Sequence, residues 1–362
     1  MSDGLRIAFF GSSLLSSYWN GAATYYRGIV HALHRRGHRI TFFEPDAFER
    51  QQRRDMEVPP WASVVVYPGT SDGALHALEQ ARAANVVIKA SGVGVCDALL
   101  EREVLMLKST ARRVLFWDVD APATLERVQA DPNDAFRELI PRYDLVFTYG
   151  GGPRVVDAYR KLGARDCIPI YNALDPETHF AVPPSARFDA DLGFLGNRLP
   201  DREARVEEFF FDAARRAPRQ SFLLGGAGWD DNLPPNVRRL GHVSTNDHNA
   251  FNCSVRMALN VNRDSMARFG WSPPTRVFEA AGAGACLIVD AWEGIEGFLE
   301  PGSEVLVAHD GAEVAGYLES IDAAQARRIG ERARARLLAH HTYAQRAQQV
   351  EEVLLGRTLV AA

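Results

Sequence analysis

Cysteine is scarce and unpaired in this 362-residue chain. Its four cysteines, Cys96, Cys167, Cys253 and Cys286, form no Cys-x-x-Cys spacing. That pattern excludes a disulfide framework and a cysteine-built structural zinc site. Cys286, inside the apolar run GACLIVD, reads as a small core residue. Long hydrophobic runs are also missing, since none reaches the roughly 20 residues of a membrane-spanning helix. The N-terminal MSDGLRIAFFGSS lacks the apolar stretch of a secretory leader, so the expected location is the cytoplasm. There is no basic excess: 41 Lys and Arg face 46 Asp and Glu, for a net charge of −5. A dedicated nucleic-acid binder normally carries the opposite balance, so no nucleic-acid partner is expected. G-x-G-x-x-G, the P-loop signature and the G-x-S-x-G nucleophile elbow are all absent. The adjacent pair His340 and His341 lies in the tail, and adjacency is not a metal-ligand spacing. The sequence therefore predicts no cofactor and no bound metal, and offers no support for a hydrolase.

What is present is an alternation of short apolar runs with longer amphipathic segments, the pattern of βαβ units and a parallel sheet. Examples are LRIAFF (5–10), SVVVY (63–67), RVLFW (113–117), DLGFL (191–195) and VRMALNV (255–261). Helices are expected over about 21–36, 72–84, 97–109, 153–162, 201–216, 245–252, 274–283, 312–320 and 323–340, with a late strand at 304–307. Residues 172–190 carry three prolines and little periodicity, which marks a linker. The division expected is an N-terminal domain over 1–178 and a second over 179–340. A C-terminal helix over 341–362 is expected to pack back toward the first. The fold class is α/β, two Rossmann-like domains facing a cleft.

Chemistry concentrates in a few stretches. In RVFEAAGAGACLIVD (276–290), a helix starting after Pro273-Pro274 sets Arg276 and Glu279 one turn apart on one face. Small residues keep that helix slim, and Gly284 can end it in a left-handed turn. Glu279 could accept both hydroxyls of a ribose, although an ordinary surface Glu–Arg pair has the same spacing. In FLGNRLPDR (194–202) a strand ends at Gly196 and is followed by Asn197, Arg198 and Arg202 at a helix entry. Helix N-termini and arginine forks suit phosphate, though solvated arginines flanking a loop are the plain alternative. Arg263 follows another strand in NVNRD and is a further phosphate candidate. Asp118 and Asp120 form an acid-x-acid triplet after RVLFW. Such triplets can hold Mn²⁺ or Mg²⁺, but placement at a strand's carboxyl end favours binding an acceptor hydroxyl or acting as general base. Gly21 and Gly226 sit in glycine-bearing loops where a ligand could approach the backbone, or where the chain simply turns.

From Arg276 through Glu279, Gly282, Gly284 and Asp290 to Gly294, Phe298, Pro301-Gly302 and Glu304, the chain resembles the C-terminal signature of group 1 glycosyltransferases. The resemblance is strongest to the spore-maturation-protein-like branch. The segments WDVDAP (117–122) and YDLVFTYGGG (143–152), and the long first helix ending RRGH (35–38), are similar to that branch as well. The resemblance implies the GT-B fold and a nucleotide-sugar donor held mainly by the second domain. It implies an acceptor that the sequence does not identify, with Arg198 and Arg202 against the donor diphosphate and Gly226 near the base. One position departs from the pattern: where many relatives carry a first Glu, separated by seven residues from the ribose-binding Glu279, this chain has Trp271. Two alternatives stay open, a sugar-nucleotide 2-epimerase that shares the two-domain plan and a nucleotide-sugar-binding protein without turnover, to which Trp271 gives some force. Basic segments at 32–40 and 48–55 allow peripheral contact with an anionic membrane, but a solvated face is the favoured account in a mildly acidic chain.

Overall fold

The short apolar runs assemble into two parallel sheets in a computed structural model that describes residues 4–230 and 232–356. The chain divides into two units, one reaching Asn172 and resuming at Tyr343, the other spanning Ala173–Thr342.

The first unit contains β1 (Arg6–Phe10), β2 (Arg39–Asp46), β3 (Ser63–Pro68), β4 (Val86–Ala90), β5 (Arg113–Asp118), β6 (Leu145–Thr148) and β7 (Cys167–Pro169). They lie in the order β3-β2-β1-β4-β5-β6-β7, with every pairing parallel. The crossovers carry α1 (Ala23–Arg35), α2 (Ser71–Gln80), α3 (Asp97–Glu103), α4 (Ala121–Ala130), α5 (Phe136–Leu139) and α6 (Gly152–Lys161). A sheet covered on both faces demands continuously apolar strands, and β4 is buried at all five positions. Aromatic packing supplies much of the core: Phe9 stacks on Phe42 at 5.3 Å and Trp117 lies 4.8 Å from Phe147.

The second unit contains β8 (Ala190–Leu195), β9 (Phe222–Gly225), β10 (Val237–Gly241), β11 (Val255–Asn260), β12 (Cys286–Asp290) and β13 (Leu306–Ala308). Their order is β10-β9-β8-β11-β12-β13, again all parallel. Its helices are α7 (Pro200–Val206), α8 (Asp212–Arg216), α9 (His248–Ser254), α10 (Asp264–Phe269), α11 (Thr275–Gly282), α12 (Gly311–Ser320) and α13 (Ala323–His340). The strand order reverses between β8 and β11. In open α/β sheets that reversal point, at the strands' carboxyl ends, is where ligands bind.

After α13 the chain returns to the first unit as α14 (Tyr343–Leu354), which packs on α1. Gly28 makes this possible, because a Cβ there would lie 2.2 Å from the Tyr343 ring. Arg346 donates to the Tyr171 carbonyl at 3.2 Å, and Arg36 pairs with Glu351.

Some expected elements differ in extent. The helix expected over 97–109 stays α-helical only to Glu103, and Val104–Leu107 tightens to a 3₁₀ turn. The helix expected over 201–216 is broken by a π-helical turn at Glu207–Phe211, which turns Phe209, Phe210 and Phe211 all into the core. The strand expected at 304–307 is formed by Leu306–Ala308. α4, α5 and α10 were not expected; α5 and α10 have four and six residues, too few for a 3.6-residue period to register.

Candidate functional site

The carboxyl ends of β8, β9 and β11 in the second unit carry most of the residues expected to bind a donor. The loops after β8 and β9 are stitched together through backbone. Gly196 N–H donates to the Gly225 carbonyl at 2.9 Å, and Arg198 N–H to the Ala227 carbonyl at 2.9 Å. The Asn197 Oδ1 accepts from Ala227 N–H at 2.9 Å, and the Gly196 carbonyl accepts from the Trp229 indole at 2.8 Å. Gly226 has φ +124°, and a Cβ there would lie 2.1 Å from the Gly196 carbonyl oxygen. The constraint on Gly226 is therefore this loop–loop contact. Asn197 is committed to the same contact.

The arginines of this rim separate into two groups. Arg198 is held by two carboxylates, Glu203 at 2.6 Å and Asp230 at 2.9 Å. It lines a cavity of about 440 Å³ with Glu203, Trp229 and Asp230, a lining that includes none of Arg202, Arg263, Arg276 or Glu279. Arg202, in contrast, is crowded by its own kind. Burial and the charge of Arg276 pull its guanidinium down to about 10, with a smaller pull from Arg263, against support from Asp201 and Asp290. Its Nη2 donates to the Asn197 carbonyl and its plane lies 5.6 Å from the Phe194 ring, while its buried Nε has no hydrogen-bond partner. Buried polar groups are ordinarily satisfied. Three more buried donors are not: Arg205 Nε, Asn262 Nδ2 and Ser265 Oγ. They belong to α7, the loop after β11 and α10, and α7 and α10 pack together. Positive charge with unspent donors has the chemistry that suits an anion.

Asp290, fully buried at the end of β12, organises this surface. One oxygen accepts from Arg205 at 2.6 Å and the other from Asn262 N–H at 3.0 Å, which fixes the loop that carries Arg263. Arg263 in turn pairs with Asp201. Arg205 and Asp201 were not singled out in the sequence; an Arg in an amphipathic helix looks like any solvated residue until its partner strand is known.

Glu279 sits on α11, whose first turn has no side-chain cap. It is buried, at 7% exposure, so it is no surface partner of Arg276. Burial pushes its carboxyl up, but His179, Arg276 and His248, with a hydrogen bond from Thr275, outweigh that and hold it below the ordinary glutamate value. Burial and Arg276 together pull His248 down to about 4, against an opposing pull from Glu279. His179 Nε2 lies 4.0 Å from Glu279 Oε1. Neither histidine was expected from sequence, because each stands alone in a polar segment with no ligand-like spacing. The small residues of α11 admit protein: a Cβ on Gly282 would lie 2.2 Å from the Leu174 side chain. Gly284, at φ +87°, ends the helix in the left-handed turn expected of it.

Trp271, the residue in place of the first Glu, holds φ +45°. Its N–H donates to the Glu293 carbonyl at 2.6 Å, and its ring lies where Cβ atoms on Gly294 and Gly297 would stand, at 2.3 and 2.7 Å. A bulky residue in left-handed backbone costs about 1–2 kcal/mol, so the surrounding loop is built to hold this ring.

In the first unit Asp118 lies at the carboxyl end of β5. It is fully buried and its oxygens are used locally. Oδ2 accepts from the Tyr159 hydroxyl at 2.5 Å, and Oδ1 from Asp120 N–H and the Thr124 hydroxyl, each at 3.0 Å. Burial raises its carboxyl above the ordinary value, against these hydrogen bonds. Its buried oxygens thus accept three local hydrogen bonds. Asp120 is the residue before α4 and is half-buried; its carbonyl accepts from Thr124 N–H at 3.1 Å. Gly21, just before α1, has nothing within 4 Å of a Cβ built on it, so no close approach dictates a glycine there. The basic segment 48–55 is largely spent inside the unit. Arg50 is buried and donates to the carbonyls of Ser12, Val93 and Trp19, while Arg53 pairs with Glu49. No helix among the described residues is long and apolar enough to cross a membrane.

Residues 202–352 match the family described as glycosyl transferase-like. A sequence comparison with curated proteins finds no match. Among solved structures, the chain is similar to sucrose-phosphate synthase from Thermosynechococcus elongatus, with TM-score 0.70 and 14% identity over 97% of this chain and 98% of that one. It is similar to Anabaena HepE in complex with UDP and glucose, with TM-score 0.68 and 14% identity over 97% and 100%. It is also similar to an α-glucosyltransferase in complex with UDP-glucose and DNA containing an abasic site, with TM-score 0.71 and 13% identity over 97% and 100%. The chain thus has the GT-B glycosyltransferase fold, and a glycosyl transferase-like region covers most of its second unit.

Proposed function

We propose that the chain transfers a sugar from a nucleoside-diphosphate sugar to an acceptor, with the donor bound at the carboxyl edge of the second sheet. The observation that carries this is the pairing of a crowded arginine cluster, in which like charges hold Arg202 down, with a buried, ionised Glu279 on one rim of a Rossmann-type sheet. Arg202, Arg263 and Arg276 supply the charge for the diphosphate, and the unspent donors of Arg205, Asn262 and Ser265 supply directional hydrogen bonds. Glu279 is assigned to the ribose diol. Arg198, already neutralised by two carboxylates, has the weaker claim on phosphate. The similar HepE and α-glucosyltransferase structures hold UDP or UDP-glucose, which supports a uridine nucleotide as the first donor to try. The string from Arg276 to Glu304 supports a place near the spore-maturation-protein-like branch.

The leaving diphosphate gains negative charge as the glycosidic bond breaks. Fixed arginines can stabilise that charge without a divalent ion. Transfer is therefore proposed to be metal-independent, and donor turnover should persist after exhaustive EDTA treatment; loss of turnover restored by Mn²⁺ would reject this. The binding assignment is tested with Arg202→Ala by calorimetry. UDP affinity should fall by about 1.5–3 kcal/mol, as for a hydrogen bond to a charged group, and uridine affinity should hardly change. Equal loss for both ligands would place Arg202 outside the phosphate site.

A further inference from the structure

We propose that His179, His248 and Glu279 bind a divalent transition cation of the zinc class, and that this metal and a nucleotide exclude one another. The exclusion rests on the assignment of Glu279 to the ribose; the metal site itself does not.

One ring nitrogen from each histidine and a carboxylate oxygen of Glu279 lie within 4.8 Å of one another. Among the described residues this is the one group of three or more His, Cys, Asp or Glu side chains so gathered. Two imidazoles and a carboxylate with a position left over is a donor set that zinc accepts. Bond lengths near 2.0–2.2 Å put tetrahedral ligand atoms roughly 3.3–3.5 Å apart, so the set must close by about an ångström. The ligands come from the segment before β8, from the first residue of α9 and from the second turn of α11, and α9 and α11 pack together.

The surroundings of the histidines carry the argument further. His179 Nδ1 lies 2.9 Å from the Thr178 hydroxyl, and that hydroxyl donates to the Asp175 carbonyl at 3.3 Å. With its own proton committed, the hydroxyl accepts from Nδ1–H, which leaves a lone pair on Nε2. That lone pair stands 4.0 Å from an oxygen of Glu279. Two electron-rich atoms in this relation call for a cation between them, and a proton or a metal can serve. Outer hydrogen bonds of this kind orient metal-binding imidazoles. Arg276, one turn before Glu279, opposes a second positive charge and makes the site weaker than a structural zinc site. A metal on Glu279 takes the carboxylate that the ribose would use, so each ligand lowers the affinity for the other by the same factor.

The test uses the full chain, stripped with EDTA and dialysed. Co²⁺ alone is titrated and followed by its visible absorption, and Zn²⁺ by calorimetry, in wild type, His248→Ala and His179→Gln, with circular dichroism to show that each is folded. The expected result is one site in wild type whose dissociation constant rises about tenfold or more in each variant. Equal affinities in all three proteins, or no binding in wild type, would overturn the metal site and leave a proton as the bridging cation. UDP is then titrated with and without saturating Zn²⁺. Its dissociation constant should rise about fivefold or more in wild type and not in His248→Ala. Capture of Zn²⁺ by the free diphosphate is common to both proteins and cancels in the comparison. Unchanged UDP affinity in zinc-loaded wild type would overturn the exclusion. Failure of UDP to bind in EDTA would overturn both the exclusion and the donor assignment, while the Co²⁺ titration would still decide the metal site.

Discussion

Asp118 in the first unit and Glu279 in the second are both buried acids beside the carboxyl ends of a parallel sheet, and they have opposite fates. Asp118 is enclosed by hydroxyls and a backbone N–H that use both oxygens, and its carboxyl is pushed up. Glu279 is enclosed by an arginine and two histidines, and its carboxyl is held down. Some buried charges differ in the same way, although the first unit also keeps buried donors unspent, among them Arg50 Nε and the hydroxyls of Tyr26 and Tyr67. In the first, buried Glu44 accepts from Leu14 N–H, Ser13 and Gln51, and buried Lys89 pairs with Asp97. In the second, Arg202, Arg205, Asn262 and Ser265 keep donors unspent around a group of like charges. Electrostatic completion marks a structural acid, and electrostatic surplus marks a binding surface.

The sharpest way to break this contrast is to exchange the expected costs. Asp118→Ala strands the Tyr159 and Thr124 hydroxyls and should cost about 3 kcal/mol of stability. Denaturant titration measures this, and the folded protein should keep its UDP affinity. A loss of UDP binding with stability intact would return Asp118 to the ligand site. Glu279→Gln should do the reverse, weakening UDP binding by about 1.5–3 kcal/mol with little loss of stability. Calorimetry decides, and unchanged affinity would remove Glu279 from the site.

The histidine beside Glu279 sharpens the comparison through pH. The folded-state value of His248 lies near 4, below the roughly 6.5 of an unfolded histidine, so the unfolded chain binds the proton more tightly. The stability associated with neutral His248 is therefore fully present above about pH 6.5 and lost as pH falls toward 4, by roughly 2–3 kcal/mol. His248→Gln should flatten that part of the stability–pH curve, whereas an unchanged slope would assign the titration elsewhere. The smallest effect is expected at Gly21: Gly21→Ala should shift stability by less than about 0.5 kcal/mol, because open space surrounds the site. A large loss in thermal unfolding would mean the loop is tighter than its geometry indicates.

Much of this was legible along the chain. Apolar runs such as RVLFW and CLIVD became central strands because a strand covered on both faces has no room for polar side chains. Pro274 and Gly284 bracket α11, since proline suits a helix start and glycine a left-handed stop, and both effects act within a few residues. The candidacy of Arg202, Arg276 and Glu279 came from the same local grammar. Only the tertiary structure decided which charges are spent. Arg198 and Arg202 lie four residues apart in one motif, yet the first finds Asp230 and Glu203 while the second finds two more arginines. Asp118 meets Tyr159 from a helix 41 positions away, and Glu279 meets His179 from 100 positions before it. Periodicity and capping are short-range and can be read in order. Charge pairing and burial depend on which distant segments the sheet order brings together, and that order is a property of the folded chain alone.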